Sequence, residues 1–189
     1  MEIIIRRAVK DDAPMVAPLI YDAIGDIAHR LTGEVTEYKT IEQLEVLFKR
    51  TDNRHSYVNT YVVVNNQANQ ILGMIVLYSG KDGEALDASL QQWLKSKNAP
   101  ISKIDPEAHS DEYYIDTICV HESSRGLGLG TKLLQFAEQV AIQKGFSKLS
   151  LNVEREKESA RKLYERVGFD VTEPWTIINE PFDHMVKKI

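Results

Sequence analysis

Residues 113–131, YYIDTICVHESSRGLGLGT, constrain this chain more than any other stretch. A run rich in β-branched and aromatic side chains reads as a strand. A short polar loop follows, then Arg125, alternating glycines at Gly126, Gly128 and Gly130, and an amphipathic pattern that reads as a helix. That order brings a strand end and a helix start together across a loop whose backbone no Cβ shields. The first turn of such a helix presents unpaired N–H groups at the positive end of its dipole. An anion belongs there, most simply a pyrophosphate.

Spacing decides among pyrophosphate ligands. A P-loop needs Lys and then Ser or Thr after its last glycine, whereas here Thr131 precedes Lys132. A dinucleotide fingerprint needs its third glycine at position 131 and its first directly after the strand. Gly126 instead lies six positions beyond Val120. Only Glu154, at the end of the next strand, suits that reading as a ribose-binding acid. The pattern that fits is R-x-x-G-x-G, from Arg125 to Gly130. A second motif, ARKLYERVGF over residues 160–169, follows in order. On these two motifs the sequence resembles the GNAT superfamily of acyl-CoA-dependent N-acetyltransferases.

The resemblance implies an α/β fold: one mixed, mostly antiparallel sheet with helices on both faces and a V-shaped gap between the fourth and fifth strands. It implies acetyl-CoA as co-substrate and a primary amine as acceptor. The pantetheine arm would pair with backbone at Ile118, Cys119 and Val120, and the Val120 N–H would polarise the thioester carbonyl. The pyrophosphate would rest on Arg125, Gly126, Leu127, Gly128, Leu129, Gly130 and Thr131. Tyr164 takes the place of the family's acid, which protonates the leaving thiolate. Seven residues earlier many members have a coenzyme-contacting Asn where this chain has Lys157, and Asn152 is a candidate replacement contact.

Amine attack also requires loss of a proton, since a lysine-like ammonium has a reference pKa of about 10.4 and no lone pair. Asp116 is the candidate base. Strand alternation would put it on one face with Ile118 and Val120, and polyamine acetyltransferases of the superfamily carry a carboxylate at a similar place. Ordered water is the alternative. Cys119 and His121, two apart on a strand, are too far apart for a comfortable nucleophilic dyad. The five histidines show no ligand spacing, so no metal is expected.

The remaining chain, 189 residues with formal net charge -5, reads as one domain over 1–189. The charge argues against a nucleic-acid binder. No apolar run suggests a membrane span, the first residues form no secretory signal, and a single Cys119 agrees with a cytoplasmic setting. A homodimer is left open.

A first strand at residues 2–8 leads to a helix started by Asp11 or Asp12 and stopped at Gly33. Thr40 with Gln43 suggests a capping box opening a second helix. By resemblance these helices overlie the acceptor cleft, where Asp22, Asp26 and His29 are candidates for selecting the substrate. Residues 59–65 and 71–78 form a hairpin of nearly continuous apolar runs, which suggests a sheet covered on both faces.

Residues 80–112 read as an irregular insertion with helical character at 84–95. Its acids Asp105, Glu107, Asp111 and Glu112 are either a solvated surface or an attractor for a cationic acceptor. Helices at 130–144 and 156–167 flank a strand at 148–153, and strands at 169–172 and 182–188, joined through Pro174 and Pro181, close the chain. Two rival functions remain: a non-catalytic CoA-binding module, and a dinucleotide-dependent oxidoreductase.

Overall fold

A computed structural model describes residues 2–189. Seven strands form one sheet: β1 (Ile3–Arg7), β2 (Thr60–Asn65), β3 (Gln70–Ser79), β4 (Tyr113–Val120), β5 (Lys148–Glu154), β6 (Asp170–Ile177) and β7 (Glu180–Lys188), in the order β1-β2-β3-β4-β5-β7-β6. Every neighbouring pair is antiparallel except β4 and β5. A parallel pair needs a crossover, and helix α5 (Leu129–Gln143) supplies it.

The parallel pair is short. It holds at Tyr113↔Leu149, Tyr114↔Ser150 and Ile115↔Leu151 and then stops, while β5 continues to pair with β7 as far as Glu154↔Phe182. β4 therefore leaves β5 after Ile115, and the V-shaped gap expected between the fourth and fifth strands is present.

Helices α1 (Ala13–Ile24), α2 (Asp26–Thr32), α3 (Glu37–Lys49) and α4 (Gly80–Ser96) cover one face; α5 and α6 (Glu158–Arg166) cover the other. Val16, Ile20, Leu44 and Phe48 pack under the first group. Leu133, Leu134, Ala137 and Leu163 pack under the second. β2 and β3 lie between these layers and are buried along almost their whole length, which explains their unbroken apolar runs.

Several boundaries differ from expectation for identifiable reasons. The first helix is two helices, broken at Gly25, whose φ of 51° lies in the left-handed region. α3 begins at Glu37, so Thr40 is not its cap. Thr40 is buried within the helix, its Oγ1 2.9 Å from His29 Nδ1. The first half of the supposed irregular insertion is α4, started by Ser79, whose hydroxyl accepts the Lys81 N–H. Pro174 and Pro181 lie inside strands, and the hairpin turns at Ile178 and Asn179. Both prolines are tolerated because β6 is an edge strand and Pro181 lies beyond the β5–β7 ladder.

Between α4 and β4 the chain has no regular structure, yet it is tied down. The Ile104 N–H donates to Gln91 Oε1, Asn152 Nδ2 to the Glu107 carbonyl at 2.8 Å, Trp175 Nε1 to the Pro106 carbonyl at 2.9 Å, and the Ile178 N–H to Asp105 Oδ2 at 2.8 Å. Backbone groups denied a ladder must find partners elsewhere, and this segment finds them by crossing from α4 to β5 and the β6–β7 hairpin as a strap. Its acids consequently form neither a solvated face nor a cation-attracting patch. Glu107 is buried against Arg54 and Tyr114, Glu112 is buried against His184 at 3.0 Å, and exposed Asp111 pairs with Lys148 at 2.6 Å.

Candidate active site

The glycine loop follows from the diverging end of β4. After Val120 a single 3-10 turn, Glu122–Ser124, is capped by the His121 side chain, which accepts the Ser123 N–H. Arg125 Nε returns to donate to the Val120 carbonyl at 3.3 Å. Gly126 and Gly128 then adopt left-handed φ of 79° and 73°. A Cβ at either would meet nothing within 4 Å, so backbone conformation, not crowding inside the chain, demands glycine there. Buried Leu129 anchors the first turn of α5 while Leu127 stays exposed. The residues expected to hold a pyrophosphate, Arg125 to Thr131, thus form one continuous loop and helix start, with α5 aiming its N-terminal N–H groups outward.

Past Ile115 the gap encloses a cavity of about 90 Å³ at its base. Ile118 lines it from β4, Asn152 from β5 and Tyr164 from α6, with Ala23, Ile24 and Ile27 closing it from the α1–α2 break. Tyr164 is half-buried, edge-on to Phe169 at 6.2 Å. Among the described residues its hydroxyl makes no protein hydrogen bond, and burial pushes its pKa up to about 12. Such a hydroxyl keeps its proton until a strong base appears beside it.

A second cavity of about 450 Å³ opens from the first, sharing Ile24, Ile27, Glu154, Lys157 and Phe182. Asp22, Asp26, Glu156 and Glu180 also border it. His29 does not. Its ring is held within the helical layer by Tyr21, Thr40 and the Glu34 carbonyl. Lys157 lines both cavities, its Nζ 2.8 Å from Glu154. The Asn152 amide is engaged internally by the Glu107 carbonyl, by Tyr114 and by His184 Nδ1 at 2.6 Å.

Asp116 is not placed as strand alternation suggests. The β3–β4 register slips between Val76↔Thr117 and Leu77↔Ile115, which leaves Asp116 as the extra residue of a β-bulge. The bulge reverses the parity of the strand. Ile115 and Ile118 now pack on the α5 side, while the Asp116 carboxylate meets Tyr78 and the residues under α1. Asp116 therefore lies on the opposite face from Ile118 and Val120.

There it enters a buried polar cluster that sequence inspection did not reveal. Asp116 Oδ1 lies 2.9 Å from His55 Nε2 and accepts the Thr117 hydroxyl at 2.7 Å. Oδ2 accepts the Tyr78 hydroxyl at 2.8 Å and lies 3.5 Å from Arg54 Nη1. Arg54, only 1% exposed, also bonds Asp87 at 2.6 Å and Glu107. Burial opposes charge on Asp116, but His55, Arg54 and Thr117 outweigh it and hold the carboxyl well below the usual range. Burial instead dominates at Asp87 and Glu107 and pushes both upward. A carboxylate stabilised by so many donors is a weak base.

Cys119 sits in the core under α1 and α3, and burial raises its thiol to about 11. His121 bonds Ser123 at the surface, so the two form no dyad. The fold does bring His109, Glu173 and His184 within 4.8 Å of one another, which their positions in sequence did not suggest. Both ring nitrogens of His184 are occupied, by Asn152 and by Glu112.

The sequence model of the acetyltransferase (GNAT) family matches residues 24–169. An uncharacterized N-acetyltransferase, YycN, from Bacillus subtilis strain 168 is 38% identical over 69 residues, a match spanning 36% of this chain and 44% of that relative. The chain thus aligns with under half the length of this curated relative. An acetyltransferase crystal structure superposes with a TM-score of 0.79 and 31% identity, over 98% of this chain and 99% of that one. The PaiA N-acetyltransferase of Thermoplasma acidophilum, solved in complex with coenzyme A, shares the fold with a TM-score of 0.61 and 15% identity over the whole of both chains.

Proposed function

Because the chain belongs to the acetyltransferase (GNAT) family, we propose that it transfers the acetyl group of acetyl-CoA to a primary amine by direct attack within a ternary complex. The observation that carries this reading is the divergence of β4 from β5 after Ile115, directly before a left-handed glycine loop and beside Tyr164. An extended pantetheine arm can pair with the β4 backbone from Ile118 to Val120, where β5 no longer does. The pyrophosphate then meets the loop from Arg125 to Thr131 at the start of α5. Lys157 offers it a point charge from across the gap.

Tyr164 gives its proton to the departing thiolate. Its apolar surroundings keep it protonated at neutral pH, as an acid must be. The acceptor enters through the larger cavity, whose carboxylates, Asp22, Asp26, Glu154, Glu156 and Glu180, outnumber Arg155 and Lys157. That balance favours a cationic amine. Proton removal from the amine depends on the polar centre around Asp116, which borders the same small cavity as Tyr164.

Calorimetric titration with acetyl-CoA, CoA and NADH in parallel, followed by thiol release against a panel of amines, tests the proposal. Binding of both CoA species with amine-dependent thiol release is the expected result. CoA binding without turnover toward any amine would point to a non-catalytic binding module. NADH binding alone would return the loop to a dinucleotide.

A further inference from the structure

His55 is 1% exposed and borders the cavity that Tyr164 and Ile118 also line. Its Nε2 lies 2.9 Å from Asp116 Oδ1 and 3.1 Å from Thr117 Oγ1. The Thr117 hydroxyl spends its only proton on Asp116 Oδ1, so it offers His55 lone pairs alone, and a carboxylate offers nothing else. Nε2 must therefore be the donor, and in the neutral ring the lone pair resides on Nδ1. That nitrogen is buried and, among the described residues, has no hydrogen-bond partner. A buried acceptor left unmatched in an otherwise saturated polar cluster calls for a functional explanation.

We propose that His55 Nδ1 accepts the proton of the acceptor amine and that Asp116 and Thr117 are the residues that position it. The inference rests on the acetyl-transfer reading and supplies the base that reading lacks. Asp116 serves poorly in that role because its oxygens already face His55, Thr117, Tyr78 and Arg54. Its charge acts through His55 instead, steadying the imidazolium that forms. Arg54, Tyr78, Asp87, Glu107 and Tyr114 complete the ionisable groups around this dyad, and Asp116 is the carboxylate in direct contact with His55, while Asp87 and Glu107 bond Arg54.

Proton flow balances. The ammonium N–H breaks as Nδ1–H forms, and the freed nitrogen lone pair attacks the thioester carbon. The C–S bond breaks, and the thiolate takes the Tyr164 proton. The proton that the nitrogen sheds on acylation restores Tyr164, while the imidazolium returns its own to water.

His55→Gln is the informative variant because its side-chain amide can still donate to Asp116, preserving the cluster while removing the base. Thiol release with spermidine, kanamycin and a lysine peptide should show kcat roughly 100-fold or more lower, with acetyl-CoA affinity within twofold and the acid limb of the pH profile gone. Nitrogen-15 spectra of the wild-type protein, with the His55 signals identified by their loss in the variant, should show a protonated Nε2 and a bare Nδ1. Asp116→Asn, which can present an N–H to Nε2, should invert that tautomer and depress kcat without weakening acetyl-CoA binding.

A bare Nε2 in the wild type overturns the proposal, whether or not an active amine has been found. So does a His55→Gln enzyme with unchanged kcat and pH profile. Failure of the wild type to bind acetyl-CoA would instead strike the acetyl-transfer reading, leaving the tautomer measurement to judge His55 independently.

Discussion

The glycine loop and the Arg54–Asp116 cluster lie at opposite ends of one gap and are built on opposite principles. The loop is contiguous, largely exposed and made of backbone: Arg125 to Thr131 present main-chain N–H groups and two left-handed glycines. The cluster is assembled from the α3–β2 connection, β3, α4, the strap and β4, is buried, and acts through side chains. A surface meeting a constant ligand can be made from a fixed local motif. A polar interior must instead satisfy every group with partners from wherever the chain passes.

The largest effect should come from Arg54→Met. Removing the guanidinium that bridges Asp87, Glu107 and Asp116 leaves buried carboxylates uncompensated, and the fold should lose about 3–5 kcal/mol in urea denaturation. An effect under about 1 kcal/mol would mean that Arg54 does not compensate the buried carboxylates around it. Next, Tyr164→Phe should cut kcat about 100-fold with little change in acetyl-CoA affinity, because it removes only a proton donor. A change in KM alone would reassign Tyr164 to binding.

Gly128→Val should do the reverse at the other end of the gap. Acetyl-CoA binding should weaken at least tenfold in calorimetry, and the left-handed backbone should cost about 1–3 kcal/mol of stability. The smallest effect belongs to Asp111→Asn, whose solvent-screened bond to Lys148 should leave the urea midpoint essentially unchanged. Its KM for a cationic amine should not move even at low salt, since the strap's acids do not form a common patch.

Acid should separate the two regions as well. The folded-state pKa of Asp116 is depressed, so its stabilisation is fully present above the ordinary aspartate value of about 3.9 and is lost as pH falls through the lower folded value. Asp116→Asn should forfeit that stability at pH 7 and flatten the acid limb of unfolding below about pH 4. The loop has no carboxylate whose loss could do this.

The same contrast explains what was legible in the sequence. The strand–loop–helix unit, the closing motif around Tyr164 and the apolar hairpin β2–β3 all declare themselves through local spacing. The β-bulge at Asp116 does not, because one extra residue in a strand alters no composition, yet it turns the carboxylate to the other face. His55 lies in a short polar connection, and its partners are 61 and 62 residues away in sequence. Thr40 shows the converse. The cap-like pair Thr40 and Gln43 serves tertiary contacts instead, Thr40 with His29 and Gln43 with Lys97. Local rules fail here where tertiary partners decide the role of a polar side chain.

The three-residue contact between β4 and β5 also bears on how the chain holds together. Among the described residues those three rungs are the only backbone ladder between β1–β4 and β5–β7, so the sheet is two half-sheets sharing a short seam that the α5 crossover and the strap's bonds reinforce from outside. A pantetheine arm lying along β4 would act as the missing rungs, and binding energy would become folding energy as mass action requires. In the free chain that seam is the line along which the sheet should open first, with those amides of residues 116–120 that face away from β3 exchanging ahead of those paired with it and slowing as acetyl-CoA is added.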